Sequence, residues 1–215
     1  MTCSTPQQTL LVRDLSLQVL LHSNLLIMGP SGSGKSSLLR CFAGLWKFEG
    51  DIYLPPNFES KMFYLPQKPY LIHGNLRNQI IYPDKVSKIS DTQLLEILER
   101  ANIGYLHRQR GGWDAHWKWN EVLSPGEQQR IMFARLFYHS PVFAILDEAT
   151  SALDMKNENK MYKECLQMGI TLISVGHRTS LLKFHNNLLL LDGQGGFKIT
   201  SISESTDENQ ESEEW

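Results

Sequence analysis

The segment GPSGSGKS, residues 29–36, decides the fold predicted for this chain. A short apolar run at residues 25–28 precedes it, and a helix-prone run at 37–45 follows it. A glycine-rich turn between a strand and a helix is the context of a phosphate-binding loop, whose backbone N–H groups and helix N-terminus face an anion. A plain glycine-rich surface turn is the alternative. The Lys-Ser pair after a predicted strand favours a nucleoside triphosphate site.

Residues of this phosphate loop (residues 29–36) have distinct predicted roles. Lys35 is expected to reach the β- and γ-phosphate oxygens, and the Ser36 hydroxyl to ligate Mg²⁺. The glycines allow the backbone to turn with positive φ close to the anion. The residues predicted to contact the nucleotide here are Gly29, Pro30, Ser31, Gly32, Ser33, Gly34, Lys35, Ser36 and Ser37.

Length and composition indicate one soluble domain with room for a subdomain: 215 residues, 41% hydrophobic and 20% charged. The formal charge is −2, yet residues 201–215 hold six acids and no Lys or Arg, which leaves +4 on residues 1–200. This balance gives no argument for nucleic-acid binding. The three cysteines lack metal-ligand spacing and predict reduced thiols. No apolar run approaches the ~18 residues that span a bilayer, so another segment or subunit would supply any spanning part.

The order of apolar runs predicts strands alternating with helices, and hence a mostly parallel α/β sheet. Strands are expected at 12–19, 25–28, 51–54, 61–65, 142–146, 171–175, 188–191 and 197–200. Helices are expected from the capping-box pattern at Ser90, from Pro125, and over 156–168. The predicted organisation is a frayed N-terminus at 1–9, a domain at 10–200 with a helical subdomain at about 75–140, and a disordered acidic tail at 201–215.

Further polar residues follow predicted strands. Asp147 ends an apolar strand and would hold Mg²⁺ through water, beside Ser36. Glu148 is placed to polarise a water that attacks the γ-phosphate. An acidic turn after a buried strand is the alternative. Gln67 would touch Mg²⁺ or the attacking water, and His177 would donate a hydrogen bond to the γ-phosphate. A polar loop glutamine and a structural histidine are the corresponding alternatives.

The order of these segments resembles the ATP-binding cassette (ABC) ATPases. It runs through the phosphate loop, Gln67, LSPGEQQR at 123–130, Asp147-Glu148, SALD at 151–154 and His177, and covers nearly all of residues 10–200. The resemblance implies a P-loop NTPase fold with a mostly parallel core sheet, an antiparallel β part and a helical subdomain. It also implies ATP hydrolysis coupled to transmembrane transport, with ATP and Mg²⁺ as cofactors, His177 as the switch histidine, and catalytic roles for Glu148, His177 and Gln67.

The same resemblance implies a head-to-tail dimer with a second copy or a homologous ATPase domain. The Ser124 hydroxyl and the Gly126 amide would then approach the γ-phosphate bound by the partner. A membrane-spanning half, absent from this chain, would be the other partner. Taken alone, LSPGEQQR is typical of an ordinary capped helix start.

Several segments look like subfamily D, the peroxisomal and lysosomal half-transporters. They are YLPQKP at 64–69, IYP at 81–83, Trp119, FARLFY at 133–138, GHR at 176–178 and FH at 184–185. SPGE at 124–127 is similar to the lysosomal cobalamin transporter branch, whereas peroxisomal acyl-CoA members usually carry Gly-Gly after the Ser. The resemblance therefore implies cobalamin transport out of the lysosome, on the cytosolic face of an organelle membrane, with a peroxisomal acyl-CoA transporter as the alternative.

The chain departs from the family pattern at two places. Pro125 replaces the first signature glycine and cannot donate an N–H. The family's first strand and its adenine-stacking aromatic are expected upstream of Met1. The chain is thus expected to be a fragment of a half-transporter or a truncated product, and a nucleotide-binding regulator without transport activity is the second functional hypothesis. Glu148 and His177 favour the first functional hypothesis, an ATP-hydrolysing motor domain of a transporter.

Overall fold

A six-stranded sheet forms the centre of the computed structural model, which describes residues 1–5, 9–53 and 61–202. The strands are β1 (Cys3–Ser4), β2 (Leu10–Val12), β3 (Leu25–Met28), β4 (Met62–Leu65), β5 (Phe143–Asp147), β6 (Thr171–Val175), β7 (Asn187–Leu191) and β8 (Phe197–Ser201). The helices are α1 (Lys35–Phe42), α2 (Leu76–Ile81), α3 (Asp91–Arg100), α4 (Tyr105–Gln109), α5 (Trp119–Val122), α6 (Pro125–His139) and α7 (Met155–Gln167), with a 3-10 helix at Thr179–Phe184.

The strand order in the large sheet is β4-β5-β6-β3-β7-β8. The first five of these strands are parallel, and β8 pairs antiparallel with β7. β1 and β2 form a separate antiparallel pair. The predicted fold class, a mostly parallel α/β core with an antiparallel part, is confirmed. Because the strands run the same way, the chain leaves β3, β4, β5 and β6 at one common edge, called here the carboxyl edge.

The two faces of the sheet bury different helices, as the alternation along β5 shows. Ala144 and Leu146 belong to the core that contains α6 and α7, whereas Ile145 belongs to the core that contains α1 and β2. Successive side chains of a strand point to opposite faces, so a strand covered on both sides reads as a continuous apolar run. All five residues of β5 are buried for this reason.

Arg135 of α6 connects this helix to α2 and to the segment that follows β4. It is 2% exposed, and its Nε and Nη1 donate to the carbonyls of Gln79 (2.9 Å) and Tyr70 (3.1 Å). Its guanidinium also lies over the Tyr82 ring, 5.1 Å from the centroid. Burial lowers the pKa of Arg135 to about 10, so it remains charged at neutral pH. A buried cation with carbonyl and aromatic partners therefore fixes α6 against α2.

Two predicted strands are wrong in extent. Only residues 10–12 pair in the first region, because the chain bends at Asp14, which has a φ of 52°. The alternation beyond it reflects packing rather than pairing, since Leu17 and Val19 pack against the α1 core outside any strand. Residues 51–53 of the expected strand at 51–54 are likewise not in a strand, and residue 54 lies outside the described residues.

The frayed N-terminus expected at 1–9 is wrong for residues 1–5. The Met1 ammonium donates to the Leu15 carbonyl (2.6 Å), and Cys3 is fully buried against Cys41 of α1, with 3.2 Å between the two Sγ atoms. Burial of Cys3 thus fixes an N-terminal segment whose sequence is otherwise mostly polar. Residues 6–8 and 203–215, which include most of the predicted acidic tail, lie outside the described residues, and β8 extends to Ser201.

Candidate active site

The phosphate loop connects β3 to α1 at the carboxyl edge. Gly29 has a φ of 146°, and a Cβ there would lie 2.6 Å from the carbonyl oxygen of Leu191 at the end of β7. Only glycine fits this position, because a side chain would meet backbone. The Ser33 amide donates to the Pro30 carbonyl (3.2 Å), which turns the chain into α1. The first amides of a helix have no acceptor within the helix, so the loop and α1 present N–H donors for an anion.

Lys35 is the first residue of α1, and its side chain folds back over the loop. Its Nζ donates to the carbonyls of Gly29 (2.8 Å) and Pro30 (2.7 Å). Burial lowers the pKa of Lys35, while the nearby charges of Glu148 and Asp147 raise it. The loop thus holds a partly buried ammonium group where the predicted phosphates would lie. The other predicted contacts of this segment all lie on the loop or in the first turn of α1: Ser31, Gly32, Ser33, Gly34, Ser36 and Ser37.

Asp147 ends β5 and receives one hydrogen bond on each carboxylate oxygen. Ser36 Oγ donates to Oδ1 (2.6 Å), and Tyr64 Oη donates to Oδ2 (2.9 Å). Asp147 is only 2% exposed, so these donors stabilise a carboxylate that has little contact with water. Burial and the charge of Asp147 raise the pKa of Tyr64 to about 12, against an opposing effect of Arg40, so its hydroxyl is protonated at neutral pH.

Glu148 follows directly and has an uncommon backbone conformation, with a φ of 48°. A non-glycine residue in this left-handed region costs on the order of 1–2 kcal/mol, and such residues cluster at functional sites. Its amide donates to the Val175 carbonyl (3.2 Å), which holds the turn against β6. Its Oε2 accepts from Gln67 Nε2 at 2.7 Å. The structure therefore brings Gln67 and Glu148 together, a contact that the sequence analysis did not predict.

These residues fit a magnesium ion. Hydroxyl and carboxylate oxygens are ligands that Mg²⁺ prefers, and Ser36 Oγ and Asp147 Oδ1 lie 2.6 Å apart at the mouth of the phosphate loop. The described residues contain no separate group of three or more His, Cys, Asp or Glu with metal-site geometry.

His177 follows β6 and lines the same surface cavity as Glu148. Its ring is exposed, whereas the neighbouring Arg178 is anchored. Arg178 donates from Nη1 to the Leu153 carbonyl and the Glu158 carboxylate (3.0 Å each) and from Nη2 to the Ser151 carbonyl (3.1 Å). His177 is therefore held next to the 151–154 turn by the residue after it.

Ser124 and Gly126 lie at the start of α6, apart from the phosphate loop. Ser124 Oγ caps the helix by accepting from the Glu127 amide (3.3 Å), and Glu127 accepts in return from the Ser124 amide (2.8 Å). A Cβ on Gly126 would lie 3.1 Å from the Ala152 carbonyl, so this glycine packs on the 151–154 turn. Within the described residues, the hydrogen bonds recorded for Ser124 and Gly126 stay inside this helix start. The capped helix start is observed, and these two residues do not join the loop of their own chain.

Sequence reasoning missed three side chains that organise this region. Tyr64 holds Asp147, and Gln129 bonds both Ser151 Oγ (3.0 Å) and the Ala152 amide (2.9 Å). Glu158 is 1% exposed and accepts from Thr150, Arg178 and Ser180. Polar residues on otherwise buried strand and helix faces are the only signal the sequence offers for such partners.

Comparison with known proteins decides the family. The family model described as ABC transporter matches residues 12–151. The chain belongs to the ABC transporter family. In this family the matched domain is an ATPase coupled to transport, with the P-loop NTPase fold. A bacterial Atm1-family ABC exporter, solved with ATP bound, has a TM-score of 0.79 and 26% identity over 90% of this chain and 36% of its own.

Curated relatives place this ABC domain in subfamily D. ATP-binding cassette sub-family D member 3 of Mus musculus is 46% identical over 94% of the chain, and an uncharacterised ABC transporter ATP-binding protein of Synechocystis is 50% identical over 94%. The Lysosomal cobalamin transporter ABCD4 of Mus musculus is 45% identical over 89%. The chain spans about a third of the length of these relatives, 31% to 33%. The identities do not favour the lysosomal branch over member 3. Among the described residues of this ABC domain, no helix is long and apolar enough to cross a membrane.

Proposed function

We propose that this chain is the ATP-binding and ATP-hydrolysing motor domain of a subfamily D half-transporter. The observation that carries the proposal is the pair of hydrogen bonds that closes the site. Ser36 of the phosphate loop bonds Asp147, and Gln67 bonds Glu148, the residue beside it. Residues from three separate parts of the sequence thus meet beside the Lys35 ammonium, at the carboxyl edge where parallel α/β sheets bind ligands.

In this proposal the loop amides and Lys35 bind the β- and γ-phosphates of ATP. Ser36 and Asp147 would hold Mg²⁺, and Gln67 would contact the ion or the attacking water. Bound Mg²⁺ supplies charge neutralisation on the phosphate oxygens. Glu148 would orient the attacking water and accept its proton, with Gln67 fixing the direction of the carboxylate. The exposed His177 ring would donate to the γ-phosphate from the adjacent loop.

The partner in this proposal is a second copy or a homologous ATPase domain. Ser124 and Gly126 make their contacts at the start of α6 and on the 151–154 turn, away from the phosphate loop of their own chain. A role in ATP binding for these residues therefore needs a second molecule, arranged head to tail. The membrane-spanning half of the transporter is the other proposed partner.

The residues of this domain indicate the transported substrate less directly than they indicate ATP hydrolysis. SPGE at 124–127 is the feature that favours cobalamin, and a relative named as a lysosomal cobalamin transporter is 45% identical. A fatty acyl-CoA stays the alternative substrate, because the identity to the cobalamin transporter (45%) does not exceed that to member 3 of the subfamily (46%). Transport specificity belongs to the membrane part, since the same motor fold serves many cargoes. The proposed location is the cytosolic face of an organelle membrane, with the lysosome favoured by the same segment.

The Glu148→Gln variant tests the proposed chemistry. The amide keeps the shape of the side chain and an oxygen that Gln67 can reach, yet it cannot accept a proton. ATP hydrolysis by the purified chain should fall at least ~100-fold, while ATP affinity stays within about threefold. The retained ATP should hold two chains together in size-exclusion chromatography. Glu121→Gln, which changes an exposed carboxylate of α5, is the matched control.

Unchanged hydrolysis in the Glu148→Gln variant would contradict the role of Glu148. Wild-type chain that binds ATP but shows no hydrolysis at high concentration, with Mg²⁺ present, would instead favour the nucleotide-binding regulator. A variant that stays monomeric at high concentration with ATP and Mg²⁺ would contradict the head-to-tail dimer in this chain.

A further inference from the structure

Tyr64 is a side chain at the site to which the family pattern assigns no role. It lies on β4, directly opposite Ile145 of the parallel neighbour β5. Its ring is half-buried and packs against the α1 core. Its hydroxyl reaches past the strand end to Asp147 Oδ2, at 2.9 Å. The strand register therefore sets the position of this hydroxyl, which does not depend on a loop conformation.

The direction of the hydrogen bond follows from the chemistry of the two groups. An ionised carboxylate can only accept, so the phenol donates. Asp147 then has its two oxygens in different roles. Oδ2 is held by Tyr64, and Oδ1 faces Ser36 Oγ at 2.6 Å. Because the carboxylate is 2% exposed, water is not available in number to replace a lost donor.

We propose that Tyr64 is a positioning residue for Asp147, holding Oδ2 so that Oδ1 points at Ser36 and towards the Mg²⁺ that these two residues would hold. The inference rests on the proposed function. Without the phenol, the Asp147 side chain can rotate, and its buried oxygen keeps an unmet hydrogen bond. Groups that orient the carboxylate of a metal site in this way typically contribute about 10- to 100-fold to metal affinity.

The Tyr64→Phe variant removes the hydroxyl and leaves the ring packing. Binding of ATP by calorimetry, over a series of free Mg²⁺ concentrations and also in EDTA, separates the metal from the nucleotide. The Mg²⁺ concentration for half-maximal enhancement of ATP binding should rise about tenfold or more. ATP affinity in EDTA should stay within about twofold, because the phosphate loop is untouched. A thermal melt confirms that the variant is folded.

Tyr138→Phe is the matched control. The Tyr138 hydroxyl also donates to a carboxylate, Asp84 Oδ2, at 3.2 Å, but lies in the helical part of the chain. Its loss should leave the Mg²⁺ dependence unchanged. Comparison of the two variants shows whether the effect on Mg²⁺ dependence is specific to the Tyr64–Asp147 hydrogen bond or follows the loss of a tyrosine–carboxylate hydrogen bond elsewhere in the chain.

Each outcome has a defined meaning. An unchanged Mg²⁺ midpoint in Tyr64→Phe, with wild-type ATP binding intact, overturns the role of Tyr64 alone. An equal loss of affinity with Mg²⁺ and with EDTA overturns it too, because it indicates a purely structural effect. A wild-type chain that binds ATP under neither condition overturns the proposed function first, and the role of Tyr64 with it.

Discussion

Replacing Gly29 by alanine tests the closest contact in the phosphate loop, that between the loop and the end of β7. A Cβ at Gly29 would lie 2.6 Å from the Leu191 carbonyl oxygen, and the backbone has a φ of 146°. Gly32, three residues along the same loop, also has a positive φ (79°), but a Cβ there would meet nothing within 4 Å. Gly29→Ala and Gly32→Ala therefore differ in the contact with backbone and in the strain of the backbone conformation.

The expected sizes follow from these contacts. Left-handed backbone costs alanine roughly 1–2 kcal/mol, and the smaller freedom of alanine in the unfolded chain returns about 0.4–1 kcal/mol. Gly32→Ala should thus lower the free energy of unfolding by about 1 kcal/mol. In Gly29→Ala the added Cβ also displaces neighbouring backbone, as in an overpacked core, which typically costs about 1–3 kcal/mol. The backbone conformation at Gly29 is in addition less favourable for alanine than that at Gly32. A total loss of about 3 kcal/mol or more is expected.

Urea unfolding of the nucleotide-free chain measures this difference. With a typical slope of about 1–3 kcal/mol per molar urea, the Gly29→Ala midpoint should lie roughly 1 M below that of Gly32→Ala. Equal midpoints for the two variants would refute the reasoning, because they would show that the loop does not press against Leu191. A larger loss for Gly32→Ala would contradict the placement of the loop altogether.

Two further predictions concern Pro125 and His185. Pro125→Gly adds an N–H donor at the start of α6, where a hydrogen bond to an anion is typically worth ~1.5–3 kcal/mol, while the looser helix start costs up to ~1 kcal/mol. ATPase activity in the full-length transporter should therefore rise a few-fold without a change in the ATP affinity of the monomer. Unchanged or lower activity would show that this amide is not limiting. Burial lowers the pKa of His185 from 6.5 to about 4 while the Leu181 carbonyl partly opposes it, so the unfolded state binds more protons between these values. The free energy of unfolding should fall by up to about 3 kcal/mol as the pH drops through that window and be unaffected above it, and a His185→Gln variant with the same pH slope in urea unfolding would contradict this.

The parts of the site that lie within single short segments could be predicted from the sequence. The phosphate loop and the Asp147-Glu148 pair each combine an apolar strand with a fixed run of polar residues, and the strands at 25–28 and 171–175 were predicted with the observed bounds. Strand direction then brings their ends together. The functional roles of these residues stay predictions.

The contacts between distant segments could not be predicted. The Tyr64–Asp147 hydrogen bond joins residues 83 positions apart and depends on the register of β4 against β5. The ion pair of Arg178 with Glu158 depends on how α7 packs beside β6. The N-terminus was misjudged for the same reason, since Cys3 is ordered by its contact with Cys41 of α1 and not by its neighbours in sequence.

Calorimetry of ATP binding with Mg²⁺ present, compared between the purified wild-type chain and Lys35→Ala, tests whether residues 29–36 bind the nucleotide. Lys35 Nζ spans the loop carbonyls of Gly29 and Pro30, at the place proposed for the phosphates. The wild-type chain should bind ATP measurably and the variant should not, with both proteins folded. Affinity within about threefold of wild type, a difference of only ~0.7 kcal/mol, would contradict the assignment of residues 29–36 as the nucleotide site.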